Sequence, residues 1–154
     1  MAGNVEKKLA ALGITLPAAM APSANYVPNV RTGNLLICSG QVSATPGGEF
    51  IKGKLGAETS PERGQLAARV ALINVLVQAK ATLGDLDKIK RCVRLGGFIN
   101  AVPTFAELPK VMNGASDLIV EILGDAGRHA RTTVGVAELP FDASVEVEAI
   151  FEVE

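Results

Sequence analysis

The sequence predicts an α+β domain: one mixed sheet with two long helices on one of its faces. Three observations predict it. Two helix-length segments, 60–84 and 108–124, carry their own start and stop residues. Segments of strand character precede, separate and follow them, with no internal repeat and no low-complexity tract. The chain is 48% apolar but only 4% aromatic, with no Trp, so its core must be built from Ala, Val, Leu and Ile, which suit helix-on-sheet layers. With so few large side chains, part of the burial is expected between subunits.

Taken in order, residues 4–12 read as a short amphipathic helix, with Asn4 as N-cap and Gly13 as stop. Residues 15–23 hold Pro17 and Pro22 and read as an extended connection. Strands are expected at 25–31 and 34–39, with Thr32-Gly33 turning between them. The continuous run Leu35-Leu36-Ile37-Cys38 suits a strand covered on both faces. A loop at 45–48 leads to a short return strand at Phe50-Ile51. The strongest helix then follows. Ser60 is a suitable N-cap, Pro61 fits the first helical position, Glu62 faces the positive end of the dipole, and Gly84 stops it. Its apolar row is Leu66, Val70, Ile73 and Val77, with a second row at Leu72 and Leu76.

Residues 89–100 read as a strand, where Gly96-Gly97 signals a bulge or a close backbone approach. A second long helix is expected over 108–123. Thr104 and Glu107 stand at capping-box spacing before it, Pro109 is tolerated near its start, and Gly124 ends it. Two alternating strands close the chain. Thr132, Val134 and Val136 alternate with Arg131, Thr133 and Gly135, and Val145, Val147, Ala149, Phe151 and Val153 alternate with the residues between them.

Composition narrows the function. The chain has 154 residues, enough for one domain, with 15 basic against 16 acidic residues and a net charge of −1. That excludes intrinsic disorder and any global attraction to nucleic acid or anionic membrane. No apolar run approaches the roughly 20 residues of a membrane span. The N-terminus lacks the basic-then-apolar order of a signal peptide. Cys38 and Cys92 have no metal-ligand spacing, and one histidine, His129, excludes the usual zinc site. A reducing cytoplasm is the expected setting. No nucleophile elbow, P-loop or dinucleotide fingerprint is present.

Pairing the last two strands as a hairpin requires their valine faces to coincide. Arg131 and Glu146 then point the same way but lie roughly 20 Å apart along the strands at about 3.3 Å per residue. A site using both must form between two subunits. Taken alone, Arg131 has two readings: an ion pair on a surface or interface, or a fork that holds a carboxylate bidentately.

The run Ala130-Arg131-Thr132-Thr133-Val134 … Val136-Ala137-Glu138-Leu139-Pro140 … Val145-Glu146-Val147-Glu148-Ala149 resembles the signature of the Rid family. These are the YjgF-type reactive-intermediate deaminases, also called L-PSP endoribonucleases. Upstream, Asn25-Tyr26-Val27 … Gly33-Asn34-Leu35-Leu36-Ile37-Cys38-Ser39-Gly40-Gln41 resembles the same family's tyrosine and Ser-Gly-Gln motif. The likeness spans 22–154, behind an N-terminal extension of 1–21, in a single domain of 1–154. It implies a chorismate-mutase-like homotrimer whose sheets form a central barrel, with helices outside and ligand sites in three intersubunit clefts. It further implies hydrolysis of small carboxylate-bearing enamines or imines, such as 2-aminoacrylate, to 2-keto acids and ammonia, with no metal or organic cofactor.

Carried over by residue, Arg131 binds the substrate carboxylate and Glu146 positions or activates the attacking water. Tyr26 offers its hydroxyl from the neighbouring subunit. Ser39 and Gly40 shape the pocket, and Asn113 forms its wall or holds the arginine. Thr133 stands where the family commonly has cysteine, and His129, expected to be exposed, where it commonly has proline. The longer N-terminus and the longer segment between Asn113 and Arg131 mark a side branch. Two other readings compete. One is a regulatory trimer that binds small carboxylates without turnover. The other is an endoribonuclease or translation inhibitor using Lys88, Lys90 and Arg94 on one face of their strand and Arg91 on the other. The lack of base-stacking aromatics weighs against it. No membrane partner is expected.

Overall fold

The computed structural model describes residues 3–22 and 24–154. Met1, Ala2 and Ser23, the last of which ends the connection expected over 15–23, lie outside the described residues. The elements are α1 (Asn4–Ala11), β1 (Asn29–Thr32), β2 (Leu35–Val42), α2 (Pro61–Leu83), β3 (Ile89–Asn100), α3 (Leu108–Leu123), β4 (Ala130–Val136) and β5 (Val145–Val153). The strands form one sheet in the order β1-β2-β5-β3-β4. All neighbours are antiparallel except β3 and β4, so the sheet is mixed as expected. The helices α2 and α3 pack on each other and on one face of the sheet.

The helix termini follow local chemistry. The Ser60 hydroxyl accepts from the Arg63 amide at 3.1 Å, Pro61 occupies the first turn, and Gly84 ends α2 at φ 81. Of the two apolar rows expected on α2, Leu72 and Leu76 are buried as read and Val77 with them, but the rest of the first row is not and the alanines take its place. Ala67, Ala68, Ala71, Leu72, Val75, Leu76 and Ala79 are covered, whereas Leu66 is exposed and Val70 and Ile73 only half-buried. Alanines let the helix approach α3 and the sheet closely, so the close-packed face is the small one and the bulkier row sits at its margin. By length and composition α2 could cross a bilayer, but 56% of its most apolar window is buried within the protein.

Two capping expectations change. Asn4 is the first helical residue of α1, not its N-cap. Its amide and that of Val5 are bound instead by the Asp87 carboxylate, at 2.7 and 2.9 Å. Those two bonds hold the Asp87 carboxyl below its usual range. The far end of α1 closes as read: the amides of Gly13 and Ile14 bond back to the Ala10 and Leu9 carbonyls at 2.9 Å. At α3 the N-cap is Glu107 without a side-chain bond, and the Thr104–Glu107 box does not form.

The C-terminal hairpin does not form. A strand delivered by a helical crossover pairs parallel to its predecessor, and β3–α3–β4 is such a unit, with Leu95 opposite Arg131 and Phe98 opposite Val134. The segment after β4 then makes a 3-10 turn at Pro140–Asp142, with Phe141 and Asp142 at φ 60 and 56, and carries the chain to the middle of the sheet. There β5 fits between β2 and β3, antiparallel to both. Val145, Val147, Ala149, Phe151 and Val153 are buried beneath the helices, and Glu146, Glu148, Ile150 and Glu152 stand on the open face. Val134 is 40% exposed. The valines of β4 and β5 therefore lie on opposite faces.

Cys38 and Cys92 are free thiols on the helix-covered face, and burial pushes both up to about 12. Neither should react with a disulfide reagent such as Ellman's at pH 8 in the folded protein. Both should react fully within minutes in guanidinium, an outcome read directly by absorbance.

Candidate functional site

The expected site residues fall into two groups. The first lies at the end of β4 next to α3. Arg131 shares a face with Leu95, beneath the helices, because the parallel register sets the two side by side. Its Nη1 donates to Asn113 Oδ1 at 2.8 Å and to Ser116 Oγ at 3.1 Å. Asn113 and Ser116 are three apart on α3 and so share a helix face. Arg131 is half-buried, and no ion pair joins it to a carboxylate among the described residues. Thr133 follows two residues on, turned to the same face, with its hydroxyl buried and unpaired among the described residues.

His129 is not exposed as expected. It is half-buried, with Nε2 at 2.9 Å from Ser116 Oγ and Nδ1 at 2.6 Å from the Gly127 carbonyl. From sequence, nothing supports Ser116 as a nucleophile beside His129, and His129 reads as solvated; the structure brings the two together. A signal was available in the spacing: 113 and 116 share a helix face, and 129 and 131 share a strand face.

The second group lies on the open face. A register shift between Cys38 and Gln41 marks a bulge in β2 that contains Ser39 and Gly40. A Cβ on Gly40 would fall 2.7 Å from Glu146 Oε1, so a larger residue there would require the carboxylate to shift. A Cβ on Gly96 would likewise fall 2.7 Å from Glu148 Oε1. The glycine pair accommodates side chains, not the bulge or backbone approach expected there: Gly96 receives Glu148, Gly97 lies against Met112, and the register shifts of β3 fall before Arg94. The Ser39 hydroxyl donates to the Val27 carbonyl at 2.7 Å, tying β2 to the segment that carries Tyr26, which is 52% exposed. Burial, and secondarily the Glu148 charge, raises the Glu146 carboxyl above its usual range.

Arg131 and Glu146 do not point the same way, as the hairpin would have required. They occupy opposite faces and are separated by β3, two strand spacings of about 4.8 Å each. Within one chain the two groups cannot meet. Nor do the basic residues of 88–94 form a stripe. Two register shifts interrupt β3, Lys88 sits in the turn before it and donates to the Leu83 carbonyl at 2.9 Å, and Arg94 turns to Thr132 at 3.2 Å.

Comparisons with known proteins identify the family and the fold. Residues 6–152 match the family model described as "YjgF/chorismate mutase-like, putative endoribonuclease". The chain is 50% identical over 151 residues to Protein TCP17 of Trypanosoma cruzi, covering 97% of this chain and 94% of that protein. It is 29% identical over 143 residues to the 2-iminobutanoate/2-iminopropanoate deaminase of Dermatophagoides farinae, covering 92% and 95%. The crystal structure of Atu1372 from Agrobacterium tumefaciens superposes with a TM-score of 0.92 at 48% identity, covering 97% and 92%.

The raised Glu146 carboxyl has a measurable consequence. Its folded pKa exceeds its unfolded one, so ionisation opposes folding as pH rises through that window, and below it the penalty disappears. Glu146→Gln should therefore melt at a higher temperature than wild type at pH 7, by a few degrees. The difference should vanish near pH 3, as read by calorimetry at both values.

Proposed function

As a chain that belongs to the YjgF/chorismate mutase-like family, which includes imine deaminases and proteins described as endoribonucleases, it has relatives of known chemistry, and we propose that it hydrolyses small carboxylate-bearing enamines or imines to 2-keto acids and ammonia. The observation that carries the reading is the state of Arg131. Its guanidinium is half-buried and held by two neutral oxygens, with no acidic side chain to neutralise it among the described residues. Both bonds use Nη1, which leaves the Nε–Nη2 edge free to take a carboxylate side-on through two parallel hydrogen bonds. A structural arginine at that depth would ordinarily have a carboxylate partner.

The second half of the chemistry comes from Glu146 of another copy of the chain. The two residue groups lie on opposite faces, so only an assembly unites them, and a ring of three is the arrangement that the resemblance implies. The open face carries apolar side chains for such a contact: Ile37, Val93 and Val134 are 40%, 37% and 40% exposed. In that assembly Arg131 fixes the substrate carboxylate and so sets the imine carbon. Glu146, its pKa raised by desolvation, takes a proton from the attacking water as the carbon–oxygen bond forms and the carbon–nitrogen π electrons move to nitrogen. Glu146 returns that proton to the carbinolamine nitrogen and then takes the hydroxyl proton as the carbon–oxygen double bond forms and the carbon–nitrogen bond breaks, so that ammonia leaves and the 2-keto acid remains. Ser39, Gly40 and Tyr26 border the same face, while Asn113 and Thr133 border Arg131. An iminium is electrophilic enough that orientation and one base suffice, so the reaction needs neither metal nor organic cofactor. The buried free thiols suit a reducing cytoplasm.

Imines generated by an amino-acid oxidase from small and bulkier amino acids, with the residue trapped by semicarbazide, provide the assay. Wild type should shorten imine lifetime, and Arg131→Ala should lose about a hundredfold in kcat/KM, as expected on losing a charged bidentate contact. Equal rates with and without wild-type protein on every imine would overturn the reading. Light scattering should return three times the 16.0 kDa chain mass, and a monomer would remove the composite site.

A further inference from the structure

We propose that Ser116 and His129 are positioning residues for Arg131, forming a hydrogen-bonded relay that fixes which edge of the guanidinium meets a carboxylate. The inference rests on the carboxylate-binding reading of Arg131 and adds the device that orients it.

The relay runs from backbone to cation. The Gly127 carbonyl can only accept, so the His129 Nδ1 facing it at 2.6 Å must carry the hydrogen. In the neutral ring Nε2 is then bare, and the Ser116 hydroxyl, 2.9 Å away, must point its hydrogen at it. This tautomer is assigned from the bonding pattern. The Ser116 oxygen is left presenting only lone pairs to Arg131 Nη1 at 3.1 Å. Nη1 has two hydrogens. Asn113 Oδ1 takes one and Ser116 takes the other, so the guanidinium plane is fixed at both corners of one nitrogen.

The origin of the relay is rigid. Gly127 is buried, and a Cβ there would strike the Ile119 carbonyl oxygen of α3. The turn Gly124–Gly127 is thereby pressed against the helix, which fixes the carbonyl that sets the tautomer. Without His129, the Ser116 hydroxyl would turn to the carbonyl one turn back along α3, the usual choice of a mid-helix serine. Its oxygen would then be less well placed for Nη1. The 2.9 Å contact is also the spacing of a nucleophile and its base. Here, however, the guanidinium donates to the same oxygen and holds it as an acceptor.

The test begins without ligand, on arginine-selective 15N spectra of wild type, Ser116→Ala, His129→Ala and His129→Gln, with Arg131→Ala for assignment. The Arg131 Nη signals should be resolved in wild type, because rotation is hindered. They should merge in both alanine variants and stay resolved in His129→Gln, whose side-chain oxygen can still accept from Ser116. Titration with 2-oxobutanoate should show about tenfold weaker binding in each alanine variant, the loss of roughly one charge-assisted bond. The double variant should be no weaker than either single one, since the two residues act in series. In turnover the loss should fall on KM and leave kcat within about twofold. Unchanged Nη signals, or additive losses in the double variant, would overturn the relay. Wild-type affinity retained by Arg131→Ala would instead overturn the carboxylate reading, while the spectra still report on the relay.

Discussion

The placement of β5 at the centre of the sheet constrains everything around it. Paired on both edges, it must alternate strictly, and its apolar set from Val145 to Val153 is taken entirely by the helix side. Four residues are thereby committed to the open face, three of them glutamates. A central strand can hold a carboxylate only if its neighbours make room, and each neighbour does so with a glycine: Gly40 in β2 beneath Glu146, Gly96 in β3 beneath Glu148. The desolvation that raises Glu146 is thus a direct result of the strand order. A glutamate on an edge strand would stay hydrated and titrate normally.

The same topology separates the two halves of the candidate site. With β4 delivered to the sheet edge by the crossover through α3, Arg131 is committed to the helix side, where Asn113 and Ser116 can reach it. Glu146 is committed to the other side. On the proposed reading, one chain carries a carboxylate-binding arginine and a base that it cannot bring together, and that reading ties chemistry to assembly.

Elements set by neighbouring residues were legible in the sequence. Ser60, Pro61 and Gly84 announce α2 because caps act within a turn, and β3 is found at 89–100 because its boundaries are turn residues. Relations between distant residues were not. The alternation of β4 was correctly read, but alternation cannot say which neighbour a strand chooses, and the hairpin assumption placed its valines on the wrong face. Arg131 and Glu146 were singled out through family resemblance, and an assembly was expected because the two could not touch within one chain. The reason assigned to that separation was wrong: the obstacle is opposite faces, not distance along one face. Ser116 was set aside and His129 misread because the two meet across α3 and the segment leading into β4, a contact that no single segment displays.

The cap of α1 has a consequence for the order in which the chain can mature. Asn4 and Val5 depend on Asp87, 83 and 82 residues away. On the ribosome α1 emerges more than eighty residues ahead of the carboxylate that caps it. An eight-residue helix is too short to persist in water unaided. A segment made before α2 therefore settles only after it, once the turn that carries Asp87 is in place.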